Sequence, residues 1–285
     1  LTAADGVADD QFGWSVSLSG DTALVGTDRR PVGGQLRQGA AYVFTRSGNS
    51  WSEQARLSAS DGANGDQFGY AVAVSGATAI VGARGATIDG NILQGATYVF
   101  AYDGAAWSEQ AKLTAGDGAT GASFGESVAF DGQTAIVGAP LVRLDGVFGR
   151  GAAYVFTGGG SNWSEQTKLT AGDYENNHEF GWSVAVDGDT VLVGVPLGDS
   201  NGNENQGAAY VFTRSESTWT EQTKLTHSNG AEGDYFGVDV TLDEGVALVG
   251  APQVDVNGNE NQGAAYVFGS PQGGFMLYIP SISGG

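Results

Sequence analysis

The dipeptide Phe-Gly returns every 56 residues along this chain, at Phe12-Gly13, Phe68-Gly69, Phe124-Gly125, Phe180-Gly181 and Phe236-Gly237. The same step carries Trp51 to Trp107, Trp163 and Trp219, and Tyr42 to Tyr98, Tyr154, Tyr210 and Tyr266, without an insertion. Repeats of this length are single supersecondary units that hide their apolar surface only against neighbouring units. The predicted fold is therefore all-β: a five-bladed β-propeller with four antiparallel strands per blade and a 56-residue repeat. Residues 1–285 form one domain, with repeats at about 1–57, 58–113, 114–169, 170–225 and 226–281.

The fourth repeat shows how the strands are read. In Phe180 to Val186 large side chains alternate with Gly181, Ser183 and Ala185, so one face is small enough for neighbouring blades to approach closely. The Asp187-Gly188-Asp189 turn leads to Thr190–Gly194, whose Val-Leu-Val run suits a strand buried on both faces. A third strand covers Gly207–Thr213, and an outer one covers Trp219–Thr226. With 48 glycines against 6 prolines, the chain is supplied with tight turns rather than stiff linkers.

The outer strand repeats as Trp-Ser/Thr-Glu-Gln, and Glu53, Glu109, Glu165 and Glu221 are expected to protect an exposed sheet edge. Leu1 aligns with Leu57, so the fifth outer strand comes from the C-terminal end, where Phe275, Met276, Leu277, Tyr278 and Ile279 replace the polar motif. Residues 275–285 are predicted to close the fifth blade and seal the ring beside the N-terminus. The competing expectation is that this apolar strand is donated to a neighbouring subunit, building a homo-oligomer or filament.

Charge narrows the partners. A formal net charge of -20 repels phosphate backbones and anionic membrane surfaces, so neither nucleic acid nor membrane insertion is expected. The same field attracts divalent cations and basic protein patches. No cysteine is present, which excludes disulfides and thiolate metal sites, and every apolar stretch is only strand-sized. If the protein is exported, this N-terminus is expected to be a processed or internal one.

The units resemble FG-GAP repeats, the building blocks of the integrin α-subunit propeller head and of many bacterial surface proteins. The resemblance rests on Phe-Gly, a Ser-Val-Ala-Val-like strand and Val-Gly-Ala-Pro, as in Phe124-Gly125-Glu126-Ser127-Val128 and Val137-Gly138-Ala139-Pro140. Bacterial members look most similar, through Gly151 to Phe156 and Trp163 to Gln166, and the likeness extends over about residues 1–270. It implies an extracellular or cell-surface propeller with an adhesion or ligand-binding role. The usual integrin head has seven blades against five here. Integrin-like repeats also place a calcium loop between the first two strands, where this chain has only short turns such as Ser19-Gly20-Asp21 and Asp131-Gly132-Gln133, so that site does not carry over.

Calcium has one other candidate location, the connection between the second and third strands. Asp199 and Asn201, with Asp255 and Asn257, resemble the start of an oxygen-rich loop. They lack the downstream acid, and Asp89-Gly90, Asp145-Gly146 and Gly33-Gly34 occupy the same register, so hairpin turns are the stronger reading. Asp5, Asp61, Asp117 and Asp173 recur before each first strand and are expected to hydrogen-bond their own loop backbone.

A ligand patch, unlike a scaffold, is free to vary between copies. The residue after Phe-Gly is Trp14, Tyr70, Glu126, Trp182 or Val238. Trp14, Tyr70 and Trp182 are candidate ligand-binding residues, by stacking on a sugar or anchoring a peptide, although alternation places them with the core. Asn162-Trp163-Ser164 is a lone sequon in scaffold sequence, a weak signal. His178 and His227 fall at different repeat positions, and no nucleophile elbow or phosphate loop occurs, so catalysis is not expected. The leading expectation is a secreted or surface propeller of bacterial type, binding protein or glycan or assembling with itself. A lectin-like propeller is the first alternative, and a glycoside hydrolase with acids clustered on the axis is the second.

Overall fold

The computed structural model describes residues 1–173, 178–227 and 229–269 and the strand backbone of Met276–Tyr278. The first blade comprises β1 (Ser15–Ser19), β2 (Thr22–Thr27), β3 (Ala40–Ser47) and β4 (Ser50–Leu57). The second holds β5 (Phe68–Ser75), β6 (Thr78–Ala83), β7 (Ala96–Tyr102) and β8 (Trp107–Leu113), and the third β9 (Ser127–Phe130), β10 (Thr134–Ala139), β11 (Ala152–Gly159) and β12 (Asn162–Leu169). The fourth follows as β13 (Ser183–Asp187), β14 (Thr190–Val195), β15 (Ala208–Ser215) and β16 (Thr218–Leu225), and the fifth as β17 (Val240–Asp243), β18 (Val246–Ala251), β19 (Ala264–Gly269) and β20 (Met276–Tyr278). Each blade is an antiparallel meander whose strands pair in sequence order, so the chain is a five-bladed β-propeller.

Within a blade the Phe of Phe-Gly is the plug. Phe68 packs edge-on against Tyr98 and Phe100 of β7, and Phe124, Phe180 and Phe236 repeat this against their own third strands. All four are buried, each contributing roughly 1.5–3 kcal/mol of burial energy. Between blades the same segment makes the joint. Phe68 forms a parallel bridge with Gly39 of the preceding blade, and Gly95–Phe124, Gly151–Phe180 and Gly207–Phe236 repeat it. A serine hydroxyl adds a bond across three of these joints, Ser15 to the Gly69 carbonyl at 2.8 Å, Ser127 to Gly181 at 2.8 Å and Ser183 to Gly237 at 2.9 Å.

Glycine is required on the second strand because these backbones nearly touch. A Cβ at Gly26, Gly82, Gly138 or Gly194 would land on the carbonyl of Gly69, Gly125, Gly181 or Gly237. The outer strands of the four fully described blades share one bulge, where Gln54, Gln110, Gln166 and Gln222 stand as the extra residue. Two of these glutamines tie blades together at the rim, Gln54 accepting from the Trp107 indole at 2.8 Å and Gln166 from that of Trp219 at 3.1 Å.

The seal expected of residues 275–285 beside the N-terminus falls mostly outside the described residues. Among the described residues no bridge joins Gly263 to Phe12, and nothing lies within 4 Å of a Cβ placed on Gly13. Asp239 stands at the register of the bridging serines, as does Ala71, whose joint closes without the serine bond. Four joints share the glycine–phenylalanine bridge, and Val16 and Leu18 on the first blade are exposed. The C-terminal strand lies in its own blade, with Val267 opposite Tyr278, Phe268 opposite Leu277 and Gly269 opposite Met276. Phe275 and Ile279 of the proposed assembly strand lie outside the described residues.

Gly194→Ala should therefore lower unfolding stability by about 1–3 kcal/mol through overpacking of a closed joint. Gly250→Ala, whose added Cβ meets nothing nearer than 3.6 Å, should stay within about 0.5 kcal/mol of wild type in the same urea titration. Equal losses would mean that the last joint is closed in solution.

Candidate recognition site at the axial mouth

Each Phe-Gly sits in a tight turn that leads into the inner strand. The amide of Trp14 bonds the Gln11 carbonyl, and Tyr70–Gln67, Glu126–Ser123, Trp182–Glu179 and Val238–Tyr235 repeat this bond. Gly69 has φ 87°, and the register of β5 against β6 slips between Phe68 and Ala71. That slip breaks the alternation that would have carried the next side chain into the core. None of Trp14, Tyr70 and Trp182 belongs to a hydrophobic core cluster, so the core placement favoured by alternation is corrected.

The turns instead deliver their variable residues to the mouth of the axis. Ser15, Tyr70, Glu126, Trp182, Val238 and Asp239, from all five blades, line a cavity of about 220 Å³. Trp14 stands beside it, 47% exposed, with its ring 5.4 Å from that of Tyr70. Arg84, a residue that sequence reasoning missed, lies over the Tyr70 ring at 3.8 Å and donates from one guanidinium nitrogen to both Glu126 oxygens at 3.0 Å. Gln67 extends the chain of contacts, accepting from Arg84 at 3.2 Å and donating to Asp28 at 3.1 Å. Burial, reinforced by the Glu126 charge, pushes the Glu179 carboxyl above its ordinary range. Burial likewise raises the Tyr70 phenol, with Glu126 adding to the shift and Arg84 opposing it. The mouth thus offers aromatic faces beside a cluster of acidic groups and one arginine whose charge is already engaged.

The recurring acids do more than bond their own loop backbone. Asp61, Asp117 and Asp173 each accept a bond from a tyrosine hydroxyl of the following blade, Tyr98 at 2.8 Å, Tyr154 at 2.7 Å and Tyr210 at 2.5 Å. Their second oxygens take Lys112 at 2.7 Å, Lys168 at 2.8 Å and Lys224 at 2.9 Å, and Asp5 joins Tyr42 and Arg56 in the same way. The outer-strand glutamates hold the same loops, with Glu109 accepting the Ser60 amide at 2.9 Å and Glu165 that of Gly116 at 2.8 Å. Asp61, Asp117 and Asp173 bond their own backbone as expected and also tie it to side chains of the blade, and the outer-strand glutamates fasten the same loops. Burial alone would raise the carboxyls of Asp61, Asp117 and Asp173, but the lysine and tyrosine bonds outweigh it and hold all three below their usual value.

The hairpin candidates for calcium are turns. Asn201 and Gly202 have φ of 55° and 84°, and Asn257 and Gly258 have 54° and 82°, the left-handed pair that a two-residue hairpin turn needs. Asp199 and Asp255 accept the amides of Asn205 at 2.9 Å and Asn261 at 2.7 Å. Among the described residues no group of three or more His, Asp or Glu side chains is placed to hold a metal.

The fifth blade lacks the latch aspartate, having Asn229 there. His227 takes over, with its Nδ1 3.1 Å from the Tyr266 hydroxyl and its ring stacked on Phe236. Its Nε2 stands 3.2 Å from Asp234. Burial lowers the imidazole pKa despite that carboxylate.

The structure and its variable mouth define a class, a rigid repeat propeller whose scaffold acids are engaged in latches while its axial residues differ from blade to blade. The FG-GAP repeat family matches at residues 1–44, 51–100, 107–156, 163–212 and 219–268, and the chain belongs to that family. Its β-propeller fold suggests a role in protein interaction. No curated protein matches the chain.

Two acid transitions follow from these pKa directions. A histidine whose folded pKa is lowered contributes stability that is full above its unfolded value near 6.5 and declines as pH falls below it. The latch aspartates contribute stability that is full above about 3.8 and is lost as pH falls through their lowered folded values. Melting temperature against pH should show a shallow loss below 6.5, removed in His227→Gln, and a steeper loss below 3.8 retained in that variant. An unchanged shallow phase in His227→Gln would discount the histidine.

Proposed function

We propose that this chain is a non-catalytic, extracellular or cell-surface interaction module, and that it grips a basic, partly apolar protein segment at the axial mouth. The observation that carries this reading is the convergence of the variable residues, Trp14, Tyr70, Glu126, Trp182 and Val238, at one end of an otherwise repetitive scaffold. Trp14 and Trp182 supply aromatic anchors, while Glu126, Glu179 and Asp239 with the net charge of -20 favour a cationic partner. Recognition without turnover fits the engagement of both Glu126 oxygens by Arg84, which leaves that acid poorly placed as a nucleophile. Protein suits the mouth better than sugar because Arg84 covers one face of Tyr70 and Trp14 stands beside it, removing an open stacking platform. The surface location rests on family membership, since FG-GAP repeats occur in extracellular and surface proteins.

The test measures binding of lysine- and arginine-rich peptides containing aromatic or aliphatic residues, beside neutral peptides and a glycan array. Trp182→Ala and Trp14→Ala should each weaken peptide binding at least tenfold, about 1.4 kcal/mol, with unchanged circular dichroism. Glycan binding lost in the same variants, with no peptide binding, would transfer the site to a lectin function. Hydrolysis of a bound glycan would overturn the non-catalytic reading.

A further inference from the structure

The end of the molecule that carries the axial mouth also carries the hairpins between second and third strands, because each inner strand starts opposite the end of the second, as Ser127 does opposite Gly138. All five hairpins close with the same pair of backbone bonds, Ile88 with Asn91 and Leu144 with Val147 just as Ser200 with Asn203, so the fold does not dictate the residue at the tip. In the fourth and fifth blades the tips are identical and polar, Asn-Gly-Asn-Glu-Asn at 201–205 and 257–261. At the register of Glu204 and Glu260 the first three blades carry Leu36, Ile92 and Phe148 instead, and Leu93 stands at the register of Asn205. Ile92, Leu93 and Phe148 are 61%, 47% and 44% exposed. They meet at Gly121, whose amide bonds the Ile92 carbonyl at 2.9 Å and whose added Cβ would touch the Phe148 ring at 3.9 Å. Apolar side chains in water, at tips the scaffold can make polar, mark a surface kept for a partner.

That patch is continuous with the mouth. The Ser123 amide bonds the Leu93 carbonyl at 3.1 Å, and the Ser123 carbonyl takes the Glu126 amide. Gly149, next to Phe148, connects in the same way through Glu179 to Trp182, and Asn205, next to Glu204, through Tyr235 to Val238. At the fourth blade the surface changes character. Asp173, Asp199 and Glu204 line a cleft of about 480 Å³ together with Ser200, whose hydroxyl has no hydrogen-bond partner among the described residues, while Lys224 there is engaged by Asp173. The fourth and fifth hairpins carry no basic residue, whereas Arg37 and Arg143 are exposed beside the apolar tips, Arg143 lying 5.8 Å from the Phe148 ring. Cationic groups are therefore drawn to one side of the mouth and repelled from the other. We propose that the segment held at the mouth lies across this end of the molecule in one fixed polarity, its apolar residues on Ile92, Leu93 and Phe148 and its cationic residues over Glu204 and the fourth-blade cleft. The inference rests on the axial-mouth reading and adds the order in which the partner carries its two kinds of residue. A partner with basic and apolar residues interleaved satisfies neither side fully, so arrangement as well as composition sets specificity.

Fluorescence anisotropy with synthetic peptides tests this on the whole chain. The block peptides carry leucines on one side of a central arginine and lysines on the other, made in both chain directions; a second peptide alternates the same residues, and a third has serine for leucine. One block peptide should bind about tenfold tighter than the alternating one. Ile92→Ser with Phe148→Ser, both at exposed tips, should remove that advantage and leave the serine peptide unchanged. Glu204→Gln should weaken the block and serine peptides alike and flatten their salt dependence. Placement is read directly, because the chain has no cysteine. Ala119 and Ala231 are exposed at one register, two residues before the glycines that bond the Ile92 and Glu204 carbonyls. A fluorophore on Ala119→Cys should be quenched by a nitroxide at the leucine end of the block peptide, and one on Ala231→Cys by a nitroxide at the lysine end. Equal affinity for block and alternating peptides, or equal quenching from both ends, overturns the polarity; if Trp182→Ala still weakens every peptide, the mouth reading survives that result. Failure of every peptide to bind the wild-type chain overturns both.

Discussion

Backbone contact between neighbouring blades is the constraint on which this molecule depends. Where Gly26 or Gly194 faces the carbonyl of the following Phe-Gly, there is no space for even a methyl group. That closeness lets Phe68 and its equivalents bury fully, brings the bridging serines within bonding distance and fixes the rotation from blade to blade. A side chain at those positions would cost overpacking at the joint and loosen every contact built around it. The position of the axial residues follows from the same turn, because the left-handed glycine after each plug both permits the close approach and turns the next side chain toward the axis.

The second constraint is electrostatic and local. A 285-residue chain with 32 acidic residues has ample carboxylates for metal or acid–base work, yet the recurring ones are engaged in holding loops. Each loop between blades is fastened by an aspartate to a tyrosine and a lysine or arginine, and by a backbone amide to a glutamate. The fifth blade shows how such a latch is replaced. Losing the aspartate at Asn229 would strand the Tyr266 hydroxyl, and His227 reaches it from the position occupied by Ala171 in the fourth repeat. The replacement puts an imidazole whose pKa is lowered by burial where the other blades carry an aspartate latch.

Much of the fold was legible because periodicity is a global signal. The 56-residue step, the strand alternation and the Asn-Gly turns at Asn201 and Asn257 all agree with the structure. Side-chain placement around Phe-Gly was not legible, because one slipped register in β5 reverses the face on which Tyr70 emerges, and alternation counts cannot see a slip. The latch had a readable trace that went unused. Asp61, Tyr98 and Lys112 recur with the same offsets in the next two repeats, and the simultaneous appearance of Asn229 and His227 in the fifth pointed to a compensating exchange. Ring closure was not legible for a different reason: repeat count states how many blades exist, whereas the angle between them is set by joint geometry.

That distinction bears on what an FG-GAP stack is. Each blade has two unlike faces, one carrying the plug and the inner-strand valines, the other the bare glycine strand and its apolar neighbours. A stack of such units is directional, and any number of blades short of a full turn leaves one face of each kind in water. Val16 and Leu18 on the first blade and Leu248 on the fifth are exposed apolar side chains. The axial mouth and the end faces therefore answer to different physics. The mouth varies because the scaffold does not need it, and the end faces are conserved in kind between repeats because the joint, wherever it forms, admits only one chemistry.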